Sequence, residues 1–338
     1  MAAPKDGEKG ETPPRQRLMP DSPSLDAERL LQRMFRKASV FNALTLGLMA
    51  GLILAAHCWL AAIPNRQDRP DALAEVRFTP AGLTPAGFAP LKFAGAWKVE
   101  IADPRFGGVS ALATDGKRLV ALTDSGTVIH FPKPGVTGLA AIHDLPDGPG
   151  SAGFKKNRDS EALALDGAGR GWWVAFEHWH QLWLYDRGFG RALARIDLGE
   201  KRWPANRGLE AIVAVADGLL LFPENGTEWL RLKGKERRSS WLANPYGYIA
   251  DGVRLPDGRL LLLTRQFGLA GIAKHLVVAE ASDGEISLRS LASLGLGATD
   301  NIEAIAAEPR ANGTRLWLMT DNDFRARAPT WLVALDLP

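Results

Sequence analysis

Cysteine is nearly absent: Cys58 is the only one among 338 residues, so no intrachain disulfide can form and packing alone must hold the fold. Charge of one sign is also lacking. The formal net charge is +3, and residues 1–37, with eight Lys/Arg against six Asp/Glu, supply +2 of it. A near-neutral body without a basic block has no electrostatic footprint for nucleic acid. There is no G-x-S-x-G elbow, P-loop, H-E-x-x-H, EF-hand loop or dinucleotide fingerprint, so any hydrolysis would have to be metal-assisted rather than serine-based. Long apolar runs are missing too, apart from one near the N-terminus.

That exception is ASVFNALTLGLMAGLILAAHCWLAAI, residues 38–63, which carries no Asp, Glu, Lys or Arg and is long enough for a single transmembrane helix. Arg29, Arg33, Arg36 and Lys37 stand directly before it, which predicts a cytoplasmic N-terminus and an extracytoplasmic, periplasmic-side body on the inner membrane. A cleaved signal peptide is the competing reading, but Ile63-Pro64 after Ala61-Ala62 is a poor cleavage context. Residues 1–37, rich in Pro, Gly and charge over 1–28, are expected to form a disordered cytoplasmic tail. Residues 64–90, with five prolines, read as a linker containing one short strand near 74–78, and a folded domain is expected over 91–338.

What the body does contain is 35 Gly, 22 Pro, 11 Trp and many short apolar runs, the composition of a turn-rich β fold. Its organising feature is a repeat. The stretch DNIEAIAAEPRANGTRLWLMTDNDF (300–324) reads as strand, Asn-Gly turn, strand, with a carboxylate at each outer end, Glu303 and Asp321. Weaker copies lie at 107–126, 159–178, 208–226 and 249–268. Their first aligned positions are Ser110, Glu161, Glu210, Asp251 and Glu303, spaced 51, 49, 41 and 52 residues apart; the second are Asp124, Glu177, Glu224, Arg265 and Asp321. Such a period with two strands and a glycine turn per unit is the pattern of β-propeller blades. The fold class predicted is all-β, a six-bladed β-propeller behind a single N-terminal transmembrane helix, its sixth blade shared between Phe93–Ile101 and Trp331–Leu337. The tryptophans beside the apolar runs are assigned to packing between blades.

The order GGVSAL…LTDSG, RDSEALAL, NRGLEAIVAV, DNIEAIAA and LWLMTDNDF…PTWLVALDL resembles the phytase-like family of bacterial propellers, described by its esterase-like activity of phytase, over residues 90–338. The resemblance implies an exported six-bladed propeller with calcium-dependent phosphoester or ester hydrolase activity. Ser110 and Arg265 depart from the acidic repeat.

If all blades present the same end to the channel, Asp124, Glu161, Glu177, Glu210, Glu224, Asp251, Glu303 and Asp321 converge, and that many hard oxygen donors suit Ca²⁺. Asn225, Asn301 and Asn322 would add amide oxygens. An acid at a strand edge also serves simply to accept backbone N–H bonds, so a structural role stands beside the metal-binding one. Arg207 and Arg265, with Arg158, could hold a small anionic ester or phosphoester or else pair with the acids. His178 is the candidate general acid/base, with His180 on the same segment. The functional expectation is a metal-dependent hydrolase; the alternative is a non-catalytic propeller that binds a ligand or cell-envelope partner.

Overall fold

A computed structural model describes residues 24–61, 65–82, 88–269, 271–282, 284–295, 301–325 and 328–338. The chain divides into two compact units, Met1–Ile63 and Pro64–Pro338. In the first, one helix, α1, runs Ser24–Ala61. Residues 24–37 are therefore helical, not irregular as expected for a tail reaching to residue 37. LDAERLLQRMFRK consists almost entirely of good helix formers. The predicted span 38–63 is helical to Ala61, although many of its side chains lie outside the described residues. Among the described residues no helix is long and apolar enough to cross a membrane.

The second unit is built from strands. β1 (Ala72–Pro80) and β2 (Lys92–Ile101) come first. Then follow β3 (Val109–Thr114), β4 (Leu119–Thr123), β5 (Thr127–Phe131) and β6 (Leu139–Asp144), an antiparallel meander. The next three meanders are β7 (Ser160–Leu165), β8 (Gly171–Phe176), β9 (Gln181–Asp186), β10 (Ala192–Asp197); β11 (Leu209–Val215), β12 (Gly218–Pro223), β13 (Glu228–Lys233), β14 (Glu236–Trp241); and β15 (Tyr248–Arg254), β16 (Leu260–Gly268), β17 (Gly271–Ser282), β18 (Glu285–Ser293). The last comprises β19 (Asn301–Arg310), β20 (Gly313–Asp321) and β21 (Thr330–Leu337), completed by β2 from the other end of the domain.

The described residues thus form five four-stranded blades, not the six predicted. Pairing of the two chain ends is as expected, Trp97 lying opposite Leu332, but it finishes the fifth blade instead of adding a sixth. The innermost strands β3, β7, β11, β15 and β19 each contact the next in turn, and β19 contacts β3, closing the ring. The described residues of the segment assigned to a linker, 65–82 and 88–90, are part of the second unit. The first half of β1 pairs with β6 and its second half with β2, so β1 covers the outer edges of the first and fifth blades and joins them into one nine-stranded sheet. The short strand expected near 74–78 is this one, and it runs on to Pro80 because an outer-edge strand tolerates proline at its end.

Period-two alternation sends successive side chains of each strand to opposite blade faces. Leu119 and Ala121 of β4 pack toward the fifth blade, whereas Val120 and Leu122 pack toward the second. Five apolar clusters result, one in each interface between neighbouring blades. Trp172, Trp173, Trp229 and Trp317 are buried in them, in agreement with a packing role, whereas Trp241, assigned the same role, is exposed.

Candidate metal centre

Each innermost strand begins with the same irregularity. The register with its partner slips by one residue between Val109 and Ala111, Ser160 and Ala162, Leu209 and Ala211, Ile249 and Asp251, and Ile302 and Ala304. The extra residues in these bulges are Ser110, Glu161, Glu210, Ala250 and Glu303. A bulge re-aims a side chain that regular pleating would turn into the blade. Across from each bulge stand Asp124, Glu177, Glu224 and Asp321, at or just past the end of the second strand, and Arg265, within β16, which runs on to Gly268. Their backbones are locked by the ladder or its continuation: Asp124, Glu177 and Glu224 donate N–H bonds to the carbonyls of Gly108, Asp159 and Gly208 at 2.8, 2.9 and 3.0 Å.

These two rings enclose a cavity of about 180 Å³, lined by Ser110 and seven carboxylates, Asp124, Glu161, Glu177, Glu210, Glu224, Glu303 and Asp321, with Arg265 the one basic residue. Seven of the eight predicted acidic ligands therefore meet. Asp251 does not line the cavity. The repeat alignment placed it opposite Glu210, but the bulge in its blade falls on Ala250, and one residue further along a strand points the other way. Its buried carboxylate instead accepts N–H bonds from Gly252 at 2.7 Å and Ile305 at 2.8 Å, tying two inner strands together.

Asp124, Glu161, Glu177, Glu210, Glu303 and Asp321 are held in a state that resists ionisation. Burial, then the neighbouring charges of Glu210, Asp159, Glu177 and Asp124, push Glu161 well above the ordinary carboxylate range. Burial does the same to Glu210, with Glu303, Glu224 and Glu177 adding to it and Arg265 opposing. Glu177 is raised to about 7 by burial and by Asp159 and Glu224. Asp321 is raised to about 7 by burial and by Asp323. Glu303 is raised by burial against the pull of Arg265 and Asn301, and Asp124 by burial against the pull of Lys155.

Arg265 is committed to this cluster. Its Nη1 pairs with Glu303 and its Nη2 lies 3.8 Å from Glu224. Burial disfavours its charge, but Glu303, Glu210, Glu224 and Glu161 outweigh that and raise it further. Arg207 stays half-exposed at the rim, 4.0 Å from Glu224. Arg158 is buried and donates to the carbonyls of Pro149 and Asn157, away from the acids. The amides serve turns: Asn225 accepts from the Thr227 N–H, Asn322 from those of Gly108 and Phe324, and Asn301 donates to Glu303. His178 is not in the cavity wall; its Nδ1 lies 3.0 Å from Asp159 and 3.5 Å from Glu177. His180 does not share its face, because the pair lies in a turn and His180 adopts a left-handed φ of 49° that turns its ring to the Trp203 carbonyl.

Two participants were not foreseen. Lys155 bridges Asp124 and Asp159 at 2.9 and 3.0 Å, and Asp159 stands behind Glu161 and Glu177. Asp159 lies directly before β7 and two positions before Glu161, a closeness in the chain that is the only signal the sequence carried for it.

The donor set fits a hard divalent cation. The buried Oδ1 of Asp124 has no hydrogen-bond partner among the described residues. Carboxylate oxygens left unpaired beside one another need a proton or a metal ion, and oxygen-only ligation suits Ca²⁺.

A closed ring of four-stranded meanders around an acidic cavity makes the molecule a β-propeller. Residues 104–324 match the family model described as phytase-like, esterase-like activity of phytase, and the chain belongs to that family. No curated protein matches it. Among solved structures it is similar to the Myxococcus xanthus glutaminyl cyclase, at 11% identity over 73% of this chain and 97% of that one, with a TM-score of 0.46. The Myceliophteria thermophila Cps50 (Swd1) β-propeller domain gives 13% identity, 69% and 98% coverage and a TM-score of 0.40. Kuenenia stuttgartiensis hydrazine synthase gives 13%, 66% and 0.37, and the chain spans 59% of its length. Similarities at this level carry no argument about the site.

Proposed function

We propose that the protein is a membrane-anchored, extracytoplasmic propeller that binds calcium in the acidic cavity and hydrolyses a small phosphoester or related ester. One observation carries the reading: seven carboxylates from four blades meet in one cavity against a single guanidinium. A bound cation would neutralise the substrate's charge and favour attack by water. The chain's own residues have separable tasks. Arg265 keeps Glu303 and Glu224 in place and so positions ligands more than it binds substrate. Arg207, half-exposed at the rim, is placed to hold the anionic group. His178, beside Glu177 and Asp159, is the proton carrier. The basic residues Arg29, Arg33, Arg36 and Lys37 ahead of the apolar half of α1 support insertion with the N-terminus in the cytoplasm.

The cavity volume favours a second reading. At about 180 Å³ the cavity takes a cation and its waters but encloses no sizeable ligand, as expected if calcium only staples the blades of a non-catalytic propeller. The two readings part in one experiment. The detergent-purified chain, stripped with chelator, is titrated with calcium by calorimetry and then screened on phosphoesters and carboxylesters with and without calcium. Calcium-dependent turnover supports the hydrolase; calcium binding without turnover supports the staple; absence of binding removes both. Glu210→Gln and Glu303→Gln should each weaken binding, and retention of wild-type affinity in both would show the acids to be structural.

A further inference from the structure

Beside the acidic cavity, Asp159, Glu177 and His178 each offer one ligand atom, and the three atoms lie within 4.8 Å of one another. We propose that this triad is a second cation site, selective for a transition metal of the zinc, cobalt or manganese class, separate from the oxygen-only cavity. The inference stands whether or not the protein is a hydrolase; Glu177 belongs to both places, and a metal on His178 Nδ1 would occupy the nitrogen that otherwise carries the proton.

Three features point to a metal rather than to a simple ion pair. First, His178 Nδ1 is buried, 3.0 Å from Asp159 Oδ2 and 3.5 Å from Glu177 Oε2, yet it is aligned for a hydrogen bond with neither. An imidazole nitrogen in that position, within ion-pair distance of two carboxylate oxygens but aligned for a hydrogen bond with neither, has the arrangement of a ligand set. Second, the donors are pre-organised. The Glu177 N–H bonds to the Asp159 carbonyl at 2.9 Å, the His180 N–H closes a turn onto the Glu177 carbonyl at 3.1 Å, and the Trp179 indole in that turn donates to Asn157 at 2.9 Å. The other oxygen of Asp159 is held by Lys155 at 3.0 Å, the kind of outer contact that orients a metal-binding carboxylate. Third, the site is open on one side, because the His178 side chain remains 30% exposed, which leaves a coordination position for water or substrate. One nitrogen and two carboxylates suit zinc, cobalt or manganese, whereas calcium takes oxygen ligands in larger number.

The test uses the full-length chain in detergent, stripped of metal, with cobalt(II) as a spectroscopic probe, zinc as its competitor and calcium in a parallel titration. The wild type should take up one cobalt with visible absorption that zinc abolishes and calcium at equal concentration does not. His178→Ala and Asp159→Asn should each weaken cobalt binding at least about tenfold, since each removes one of three donors, and His178→Ala should leave calcium affinity within about twofold. Glu210→Gln should do the reverse. Circular dichroism checks that each variant is folded, and His178→Gln serves if the alanine variant is not. No cobalt or zinc uptake by the wild type, or undiminished uptake by His178→Ala and His178→Gln, overturns the proposal; loss of calcium binding alone would leave it standing and instead remove the calcium reading of the cavity.

Discussion

Calcium binding should depend steeply on pH, because two of the cavity's carboxylates are half-protonated near neutrality. Glu177 and Asp321 are each raised to about 7 in the metal-free protein, Glu177 chiefly by burial and Asp159, Asp321 chiefly by burial and Asp323. A cation that takes both as carboxylates must displace their protons. Each group then weakens apparent affinity about tenfold at pH 6 and hardly at all at pH 8, so the two together predict about 100-fold weaker binding at the lower pH. The more deeply buried Glu161 and Glu210, pushed higher still, can only steepen the dependence. The assay is calorimetric titration at about pH 6 and about pH 8, each in two buffers of different ionisation enthalpy, which counts the protons released. Affinity unchanged across that range, with no proton release, would refute the assignment of these acids as ligands. The same shifts act on stability with a definite sign. A carboxylate whose folded value is raised contributes stability that is fully present below its unfolded value near 4.5 and is lost as pH rises through about 7. The melting temperature of the metal-free protein should therefore fall over that interval, and saturating calcium should restore it.

Two substitutions separate cavity chemistry from scaffold. Arg265→Met removes the only guanidinium in the cavity wall, and near pH 8 without metal it should destabilise the protein by roughly 1–3 kcal/mol, since Glu303 and Glu224 lose their partner; calcium should recover most of that loss in thermal melts. Asp251→Asn should cost a comparable roughly 1–3 kcal/mol in denaturant titration, because a buried acceptor shared by the Gly252 and Ile305 N–H groups is altered, while calcium affinity stays that of the wild type. A large drop in calcium affinity in Asp251→Asn would contradict its placement outside the cavity.

Much of the site was legible in the primary structure. The recurrence of an acid before each inner strand and after its partner located seven cavity carboxylates, because a hairpin brings its ends together whatever the surrounding fold. Asp251 shows where that reasoning stops. The repeat aligned it by similarity with Glu210, but a bulge one residue earlier turns its side chain away, and nothing in IADGVRL announces on which residue the bulge falls. His178 and His180 lie on one segment, but a turn with a left-handed residue at His180 sends their rings apart. Blade number was likewise beyond the repeat. Five copies were visible, and two leftover strands could as well have made a sixth blade as completed the fifth.

The amino-acid sequence by itself determined that this is a repeated all-β domain with acids at corresponding ends of its hairpins, since strand periodicity and turn residues are local properties. Only the tertiary structure decided that five blades close the ring, that β1 seals its first and fifth outer edges, and that Arg265 sits among the acids rather than facing solvent. Those outcomes depend on pairings between residues far apart in the chain, such as Trp97 with Leu332 and Ala72 with Ile142, whose partners are chosen by which edges remain open once every blade has packed against its neighbours.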